Sequence, residues 1–444
     1  MRNLNRSVKV STLALGIMTA LVCGQAMASG FQIREDSVQA MGRSQAGSAS
    51  EDGDAAVVNN NPAAMSLFDK TTVQTDLTDI DLSGQFTGGG TDAFGQPLTG
   101  GDGGNAGDST PVPAFHFILP VGGGFTLGAA FTAPFGLETQ YQPNWVGRYQ
   151  ALKSELETMD LTIAGAFKFN DMFSVGASAI GQRATATLSN AVDFGTILAG
   201  PGSPFTPQSE DGTAQIKGND TSWGWDIGLL FRPGPDTNIG LNYRSRIGQT
   251  ITGNATFNVP SAVQAALALS PLTSSLFQDT GASAALATPS VLTFSITQKL
   301  SDVFSVSANF ERTNWSSLQN LTVNFVNPAQ PPSVEEFNWK DSNEYALGFD
   351  WKFAPTWVLR AGIARDETPT SDATRDPRLP DNNRQLYSLG LGWSPSTNVS
   401  WNLGYSRIQI DTPNINDVSV TGSTLVGKYD ANANLFGISG TFSF

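Results

Sequence analysis

The chain ends on FGISGTFSF, residues 436–444, with Phe436, Ile438, Phe442 and Phe444 on one face of an extended strand and Gly437, Ser439, Thr441 and Ser443 on the other. A period of two that runs to a terminal aromatic is the pattern of the last strand of an outer-membrane β-barrel, one face on lipid and the other on a wet lumen. A soluble edge strand alternates in the same way, so the assignment rests on recurrence. Phe125, Leu127, Ala129 and Phe131 alternate with Thr126, Gly128, Ala130 and Thr132. Phe304, Val306, Ala308 and Phe310 alternate with Ser305, Ser307, Asn309 and Glu311, and Val399, Trp401, Leu403 and Tyr405 with Asn398, Ser400, Asn402 and Gly404. Such strands must close on themselves, because unpaired backbone groups at a sheet edge are not tolerated in hydrocarbon.

Alternating segments lie near 72–88, 112–120, 124–134, 156–169, 172–187, 222–232, 237–257, 290–300, 303–326, 342–354, 356–365, 384–394, 398–410 and 434–444. The expectation is an all-β transmembrane fold, an antiparallel barrel of about 14 strands. Short turns such as Asn170-Asp171 and Ser301-Asp302 alternate with long connections, as periplasmic turns and extracellular loops do. Trp223, Trp225, Trp315, Trp351, Trp357 and Trp393 fall in or at the ends of these runs, where interfacial girdles form, although each also suits a core. The Gly- and Asp-rich stretch 88–108 lacks the nonapeptide period of a calcium-binding repeat and reads as a flexible outer loop.

At the other end, Arg2, Arg6 and Lys9 precede an apolar run from Val10 to Val22, followed by Ala26-Met27-Ala28, the pattern of a secretory signal peptide spanning residues 1–28. That run is too short for a membrane-crossing helix, and no later stretch is longer. Cys23, the only cysteine, lies within the expected signal peptide, so disulfides do not hold the mature protein together. Three of the 25 Lys+Arg also lie there, leaving 22 against 39 Asp+Glu and a formal mature charge of −17. Nucleic acid is therefore not an expected partner. Scarce charges and 46 glycines suit strands that average a lipid face with a polar lumen face.

Residues 29–70 carry no sustained two-residue period and are too small and polar for a core of their own. A disordered tail would leave Phe31, Ile33, Val38, Met41, Val57, Val58, Met65, Leu67 and Phe68 in water, so the segment is expected inside the barrel as a hatch, or plug. Residues 71–444 form the barrel. Gly30-Phe31-Gln32, Glu51-Asp52, Asn61-Pro62-Ala63 and Met65 resemble the amino-terminal hatch of the FadL-like family of outer-membrane transporters for long-chain fatty acids and aromatic hydrocarbons. Pro134-Phe135-Gly136-Leu137, Trp145-Val146-Gly147-Arg148-Tyr149, Leu379-Pro380-Asp381-Asn382-Asn383-Arg384 and the final Leu435-Phe436-Gly437 with Phe444 resemble further family signatures in the same order. The resemblance implies a fourteen-stranded barrel closed by its hatch, with a hydrophobic small-molecule ligand captured by outer loops and released sideways into outer-membrane lipid.

Individual residues carry the rest of the expectation. Pro134 donates no ladder bond and Gly136 weakens pairing further, so Pro134, Phe135 and Gly136 mark a kink that the resemblance makes a lateral opening; an alternative is that Pro134 merely ends its strand. Phe31 is the expected gate, and Asn61, Pro62 and Ala63 are expected to hold the hatch fold. In the loops 191–216 and 258–290, Phe194, Ile197, Leu198, Val263, Leu267, Leu269, Leu276 and Phe277 form either an apolar landing groove or a cap in which the loops pack on each other. The fatty-acid members imply a basic clamp for a carboxylate, for which Arg183 and Lys340 are the candidates. Glu335-Glu336 stands where a basic residue would be welcome, which shifts weight towards neutral ligands such as aromatic hydrocarbons or hydroxylated lipids. Arg375-Asp376-Pro377-Arg378 reads as a solvated charge cluster. Uptake is the default direction, with export of oxidised fatty acids as an alternative. A barrel hydrolase would need a base, and the only histidine, His116, sits between Phe115 and Phe117 in a strand; an open porin would lack the plug. No cofactor is expected. The expectation is completed by a monomer in the outer membrane of a Gram-negative bacterium, delivered to the barrel-assembly machinery through the strand ending at Phe444.

Overall fold

Alternation becomes geometry in a computed structural model that describes residues 30–444. The expected signal peptide, 1–28, lies outside the described residues. Among these residues fourteen antiparallel staves close into a barrel. They are β1 (Thr72–Thr91), β2 (Ser109–Gly122), β3 (Phe125–Thr132, resumed at Gly136–Gln140), β4 (Lys153–Lys168), β5 (Phe173–Asp193), β6 (Asp211–Gly234) and β7 (Thr237–Arg244, resumed at Ile247–Asn258). Next come β8 (Thr280–Thr288, resumed at Val291–Lys299), β9 (Phe304–Thr313, resumed at Asn320–Phe325), β10 (Ser342–Ala354), β11 (Trp357–Asp366), β12 (Arg384–Ser396), β13 (Val399–Ile410) and β14 (Thr424–Ser443). The last stave pairs with the first from Thr72↔Ser443 to Thr91↔Thr424, so no sheet edge remains there. Tight turns lie at the rim that holds Thr72 and Ser443, and the long connections lie at the other, extracellular rim.

Parity sorts the side chains as the sequence pattern requires. Leu161, Ile163, Leu347, Leu389, Leu403 and Phe436 are exposed on the outside, whereas Gln74, Thr126, Asn242, Ser295 and Asn402 are buried on the inside. Apolar exposure on this scale is stable only against lipid. Near the tight-turn rim, Trp351 stacks on Phe304 at 5.9 Å, Trp357 on Trp393 at 5.8 Å, and Trp401 meets Phe442 at 5.7 Å, making an interfacial girdle. Trp315 departs from the girdle assignment: it is fully buried inside the barrel, because β9 leaves its ladder after Thr313 and turns inward.

Several strand limits also differ from the sequence reading. β3, β7, β8 and β9 are each interrupted once, and Thr280–Thr288, Gly136–Gln140 and the upper part of β6 are paired strand where loop was expected. These stretches are rich in small or polar residues, so their register is set by neighbouring strands and not by an apolar period of their own.

The N-terminal segment fills the lumen. Short helices at Val38–Met41 and Val57–Asn60 and a 3-10 turn at Pro62–Leu67 are too brief to stand alone, and each is fixed by the wall. Arg34 lies within 3.0 Å of Glu311, Glu344 and Asp366, and Arg43 pairs with Asp350 at 2.9 Å and Glu51 at 3.2 Å. Removing one side of such a buried pair typically costs about 3–5 kcal/mol. Wall glycines let the backbones meet: a Cβ at Gly362 would lie 2.1 Å from the carbonyl carbon of Arg43, and one at Gly240 1.9 Å from the carbonyl oxygen of Ala49. Gly362→Val is therefore expected to displace the segment while leaving the barrel closed. Planar-bilayer recordings should show raised conductance with unchanged heat-modifiable gel migration; wild-type conductance would mean that the segment does not depend on this contact.

Candidate ligand site

The site begins at the break in β3. Pro134 cannot donate to a ladder, and between Thr132↔Asp160 and Gly136↔Glu157 β3 carries one residue more than β4. On its other edge, β3 pairs with β2 only as far as Phe115↔Phe131, although β2 continues to Ser109 against β1. The wall ladder thus stops between the upper halves of β2 and β3. The N-terminal segment supplies part of the missing pairing from inside. The Ile33 N–H donates to the Pro134 carbonyl and the Gly136 N–H to the Phe31 carbonyl, both at 2.8 Å, making Gln32 and Phe135 an antiparallel bridge. Thr158 adds its hydroxyl to the Phe135 backbone. The Ile33 side chain packs over Gly136, where a Cβ would sit 2.7 Å from its terminal Cδ1.

Phe31 is thereby held in an aromatic box, 4.6 Å from Trp315, 5.7 Å from Trp339 and 6.1 Å from Phe135 between ring centroids. Above it opens an apolar cavity of about 910 Å3, mouth included, whose walls include Leu137, Leu156, Ile251, Leu286, Leu318 and Trp339. Towards the extracellular rim this cavity meets a wider groove of about 2280 Å3, open solvent included, and Ile216, Glu335 and Arg378 border both. On the periplasmic side of Phe135 lies a separate polar chamber bordered by Arg34, Asp36, Asn242, Arg244 and Glu311.

The expected capture residues divide. Ile197, Leu276 and Phe277 line the outer groove. Phe194, Val263 and Leu267 are buried in a cluster with Leu198, Phe205 and Phe277, where Phe194 meets Phe277 at 4.8 Å, so the two loops brace each other. Helix Ser261–Leu267 ends before Leu269, which is 87% exposed and borders neither cavity. Neither Arg183 nor Lys340, the candidate basic pair, borders the cavity or the groove. Arg183 has the outward parity of β5 and bonds Asn219 on the outside, while Gln182 points in. Lys340 is exposed and borders neither cavity. The buried cation at the site is Arg378, 7% exposed, at a position whose charged sequence context resembles a solvated cluster; Lys217 also borders the cavity but is exposed. The burial of Arg378 follows from the return of the 367–383 loop into the barrel mouth, where Asp381 accepts the Gly30 N–H and binds Arg384. His116 faces inward with Nδ1 3.6 Å from Asp76.

Sequence and fold together place the chain among known proteins. A family model described as outer membrane protein transport protein (OMPP1/FadL/TodX) matches residues 19–444. The chain belongs to this family. The long-chain fatty acid transport protein of Salmonella typhi is 27% identical over 411 residues, covering 91% of this chain and 93% of its own. Outer membrane protein P1 of Haemophilus influenzae is 26% identical over 472 residues, covering 98% and 100%. Among solved structures, a Pseudomonas aeruginosa FadL homologue superposes with a TM-score of 0.88 at 28% identity, over 94% of this chain and 100% of that one. The Ralstonia pickettii toluene transporter TbuX shares the fold at TM-score 0.66 and 19% identity, over 93% and 99%. This FadL-family chain is an outer-membrane transport protein of a Gram-negative bacterium.

Asn61 ties the N-terminal segment to the wall in this FadL-family barrel. Its amide donates to the carbonyls of Ala49 at 2.7 Å and Leu229 at 3.0 Å, and its Oδ1 accepts from Ala63 at 3.1 Å, capping the turn that Pro62 starts. Asn61→Ala removes all three bonds at a buried position and should destabilise the seated segment by about 2–4 kcal/mol. Limited proteolysis of the folded barrel is expected to cut near the N-terminus faster in the variant; equal rates would show that the amide is not the tether.

Proposed function

We propose that the protein is a passive channel for hydrophobic compounds, long-chain fatty acids or related lipids first among them. A ligand lands in the extracellular groove, passes the Glu335 and Arg378 neck into the apolar cavity, displaces Phe31 and leaves through the gap between β2 and β3 into the outer membrane. Residues 29–70 act as the hatch, with Phe31 as its gate, and the strand ending at Phe444 is the segment read by the barrel-assembly machinery. The long-chain fatty acid transport proteins among its relatives make such acids the first ligands to test.

One observation carries this reading: the residue that floors the apolar cavity belongs to the same short segment that bridges the break in the wall. A ligand pressing on Phe31 therefore acts directly on the two backbone bonds that back the gap. These bonds flank Gln32 and Phe135, so that pair has the close, non-hydrogen-bonded geometry in which Cα atoms stand about 4.5 Å apart, within disulfide range.

Two tests follow. Native mass spectrometry of the purified barrel is expected to find apolar small molecules bound to wild type and depleted in Phe31→Ala; an empty barrel with steady open-pore conductance would sink the transporter reading. In the second, Gln32→Cys with Phe135→Cys should cross-link the gate in a mature chain that has no other cysteine. Uptake of a radiolabelled fatty acid into cells is expected to fall at least tenfold when oxidised and to recover on reduction. Full uptake in the cross-linked state would rule out this route.

A further inference from the structure

The neck between groove and cavity has an unusual charge balance. Of the described ionisable residues that border the outer groove, Glu335, Glu336, Asp376 and Asp417 are carboxylic acids and Arg378 is the only Lys or Arg. They come from separate elements: Glu335 from the arm Ser333–Glu336, Asp417 from the arm Asn414–Val418, and Asp376 and Arg378 from the loop following β11. Lys217 of β6 and Glu155 of β4 also border the cavity, at strand positions whose side chains have the outward parity. Arg378 is already engaged. Its Nη1 donates to Ser154 Oγ at 3.2 Å and the Ser189 carbonyl at 3.4 Å, its Nη2 stands 3.9 Å from Glu335, and its backbone N–H donates to Asp376.

We propose that Glu335, Asp376 and Asp417 form an acidic collar around Arg378 that filters ligands by charge, admitting hydrophobic molecules whose polar end is uncharged and holding back carboxylates. This rests on the transport reading above and assigns the ligand class at its neck: a fatty acid passes as the neutral acid, and alcohols and hydrocarbons pass at any pH. The physical reason is that one guanidinium cannot compensate the collar carboxylates once they ionise together with a further carboxylate brought by the ligand. The collar already carries this strain. Burial, the attraction of Arg378 notwithstanding, pushes Asp376 up to about 8, with Glu335 and Asp417 adding repulsion. Burial and Glu335 likewise push Asp417 up to about 6. Both groups are neutral at low pH, so the collar gains negative charge as pH rises through about 6 to about 8, and exclusion of carboxylates strengthens over the same window.

The test compares binding of radiolabelled dodecanoic acid and dodecan-1-ol to the full barrel in lipid nanodiscs at low and high pH, with empty nanodiscs subtracted. Wild type is set against the triple variant Glu335→Gln, Asp376→Asn, Asp417→Asn, so that titration and lipid partitioning of the acid itself cancel. Wild-type affinity for dodecanoic acid is expected to fall about tenfold more than that of the triple variant across the window, with dodecan-1-ol binding unchanged in both. Equal losses in the two proteins, or weaker acid binding by the triple variant at high pH, would overturn the filter. Dodecan-1-ol binding reports a folded site; if the triple variant lacks it, Asp417→Asn alone decides, with about a threefold smaller loss than wild type expected and an equal loss overturning the proposal. Wild type that binds neither compound at either pH would instead overturn the transport reading on which the collar rests.

Discussion

Hydrocarbon offers no partner to a backbone N–H or carbonyl, and the whole molecule is arranged around that fact. It requires β14 to return to β1 along the full length of both strands. It also makes any break in the wall a liability that something inside must cover. Pro134 creates such a break, and Phe31 to Ile33 cover it with two main-chain bonds. The lumen segment is thus more than a stopper for the axis. It is part of the wall at the one height where β2 and β3 part company.

The body of the segment and the ring of Phe31 are held by different physics. Arg34 and Arg43 reach wall carboxylates in buried pairs, Asn61 bonds across to β6, and small wall residues let the backbones touch, so residues 34–67 move only by breaking several polar contacts at once. Ahead of Arg34, the Phe31 side chain is held by Trp315, Trp339 and Phe135. Aromatic packing of that kind is exchangeable: an apolar ligand offers the same rings equivalent contact, whereas nothing apolar replaces Glu311 for Arg34. Under the transport reading, a ligand therefore displaces the Phe31 ring first, while the backbone at 30–33, tied by Gly30 to Asp381 and by Gln32 to Glu311 and Thr313, and residues 34–67 are held by polar contacts.

Strand count, closure, membrane face and the kink at Pro134 were legible because each follows from a local pattern: a period of two, or a missing N–H. Trp315 and Arg378 were not legible. A tryptophan near a strand end has the same local sequence whether it faces the interface or turns inward, and only the exit of β9 from its ladder after Thr313 separates the two. Arg378 sits in a charged stretch that resembles a solvated loop until Asp381, holding Gly30 and Arg384, folds that loop into the mouth. The candidate clamp failed on parity. Arg183 lies one residue from the inward-facing Gln182, and a single step along a strand exchanges lumen for exterior.

Under the same transport reading, the polar chamber beneath Phe135 bears on where a hydrophobic ligand goes after the cavity. An axial path would lead an alkyl chain or an aromatic ring past Arg34, Asp36, Arg244 and Glu311, whose water it would have to displace without replacing a single hydrogen bond. The sideways path meets Phe31, Ile33, Phe135 and Leu137, then the lipid that already bathes the outer face. Both paths start at the same aromatic ring, and they differ in solvation far more than in width. Under the transport reading, polarity below Phe31 thus does for an apolar ligand what a steric block would do, and it leaves the lumen free to be lined with the hydrogen-bonding groups that anchor the segment itself.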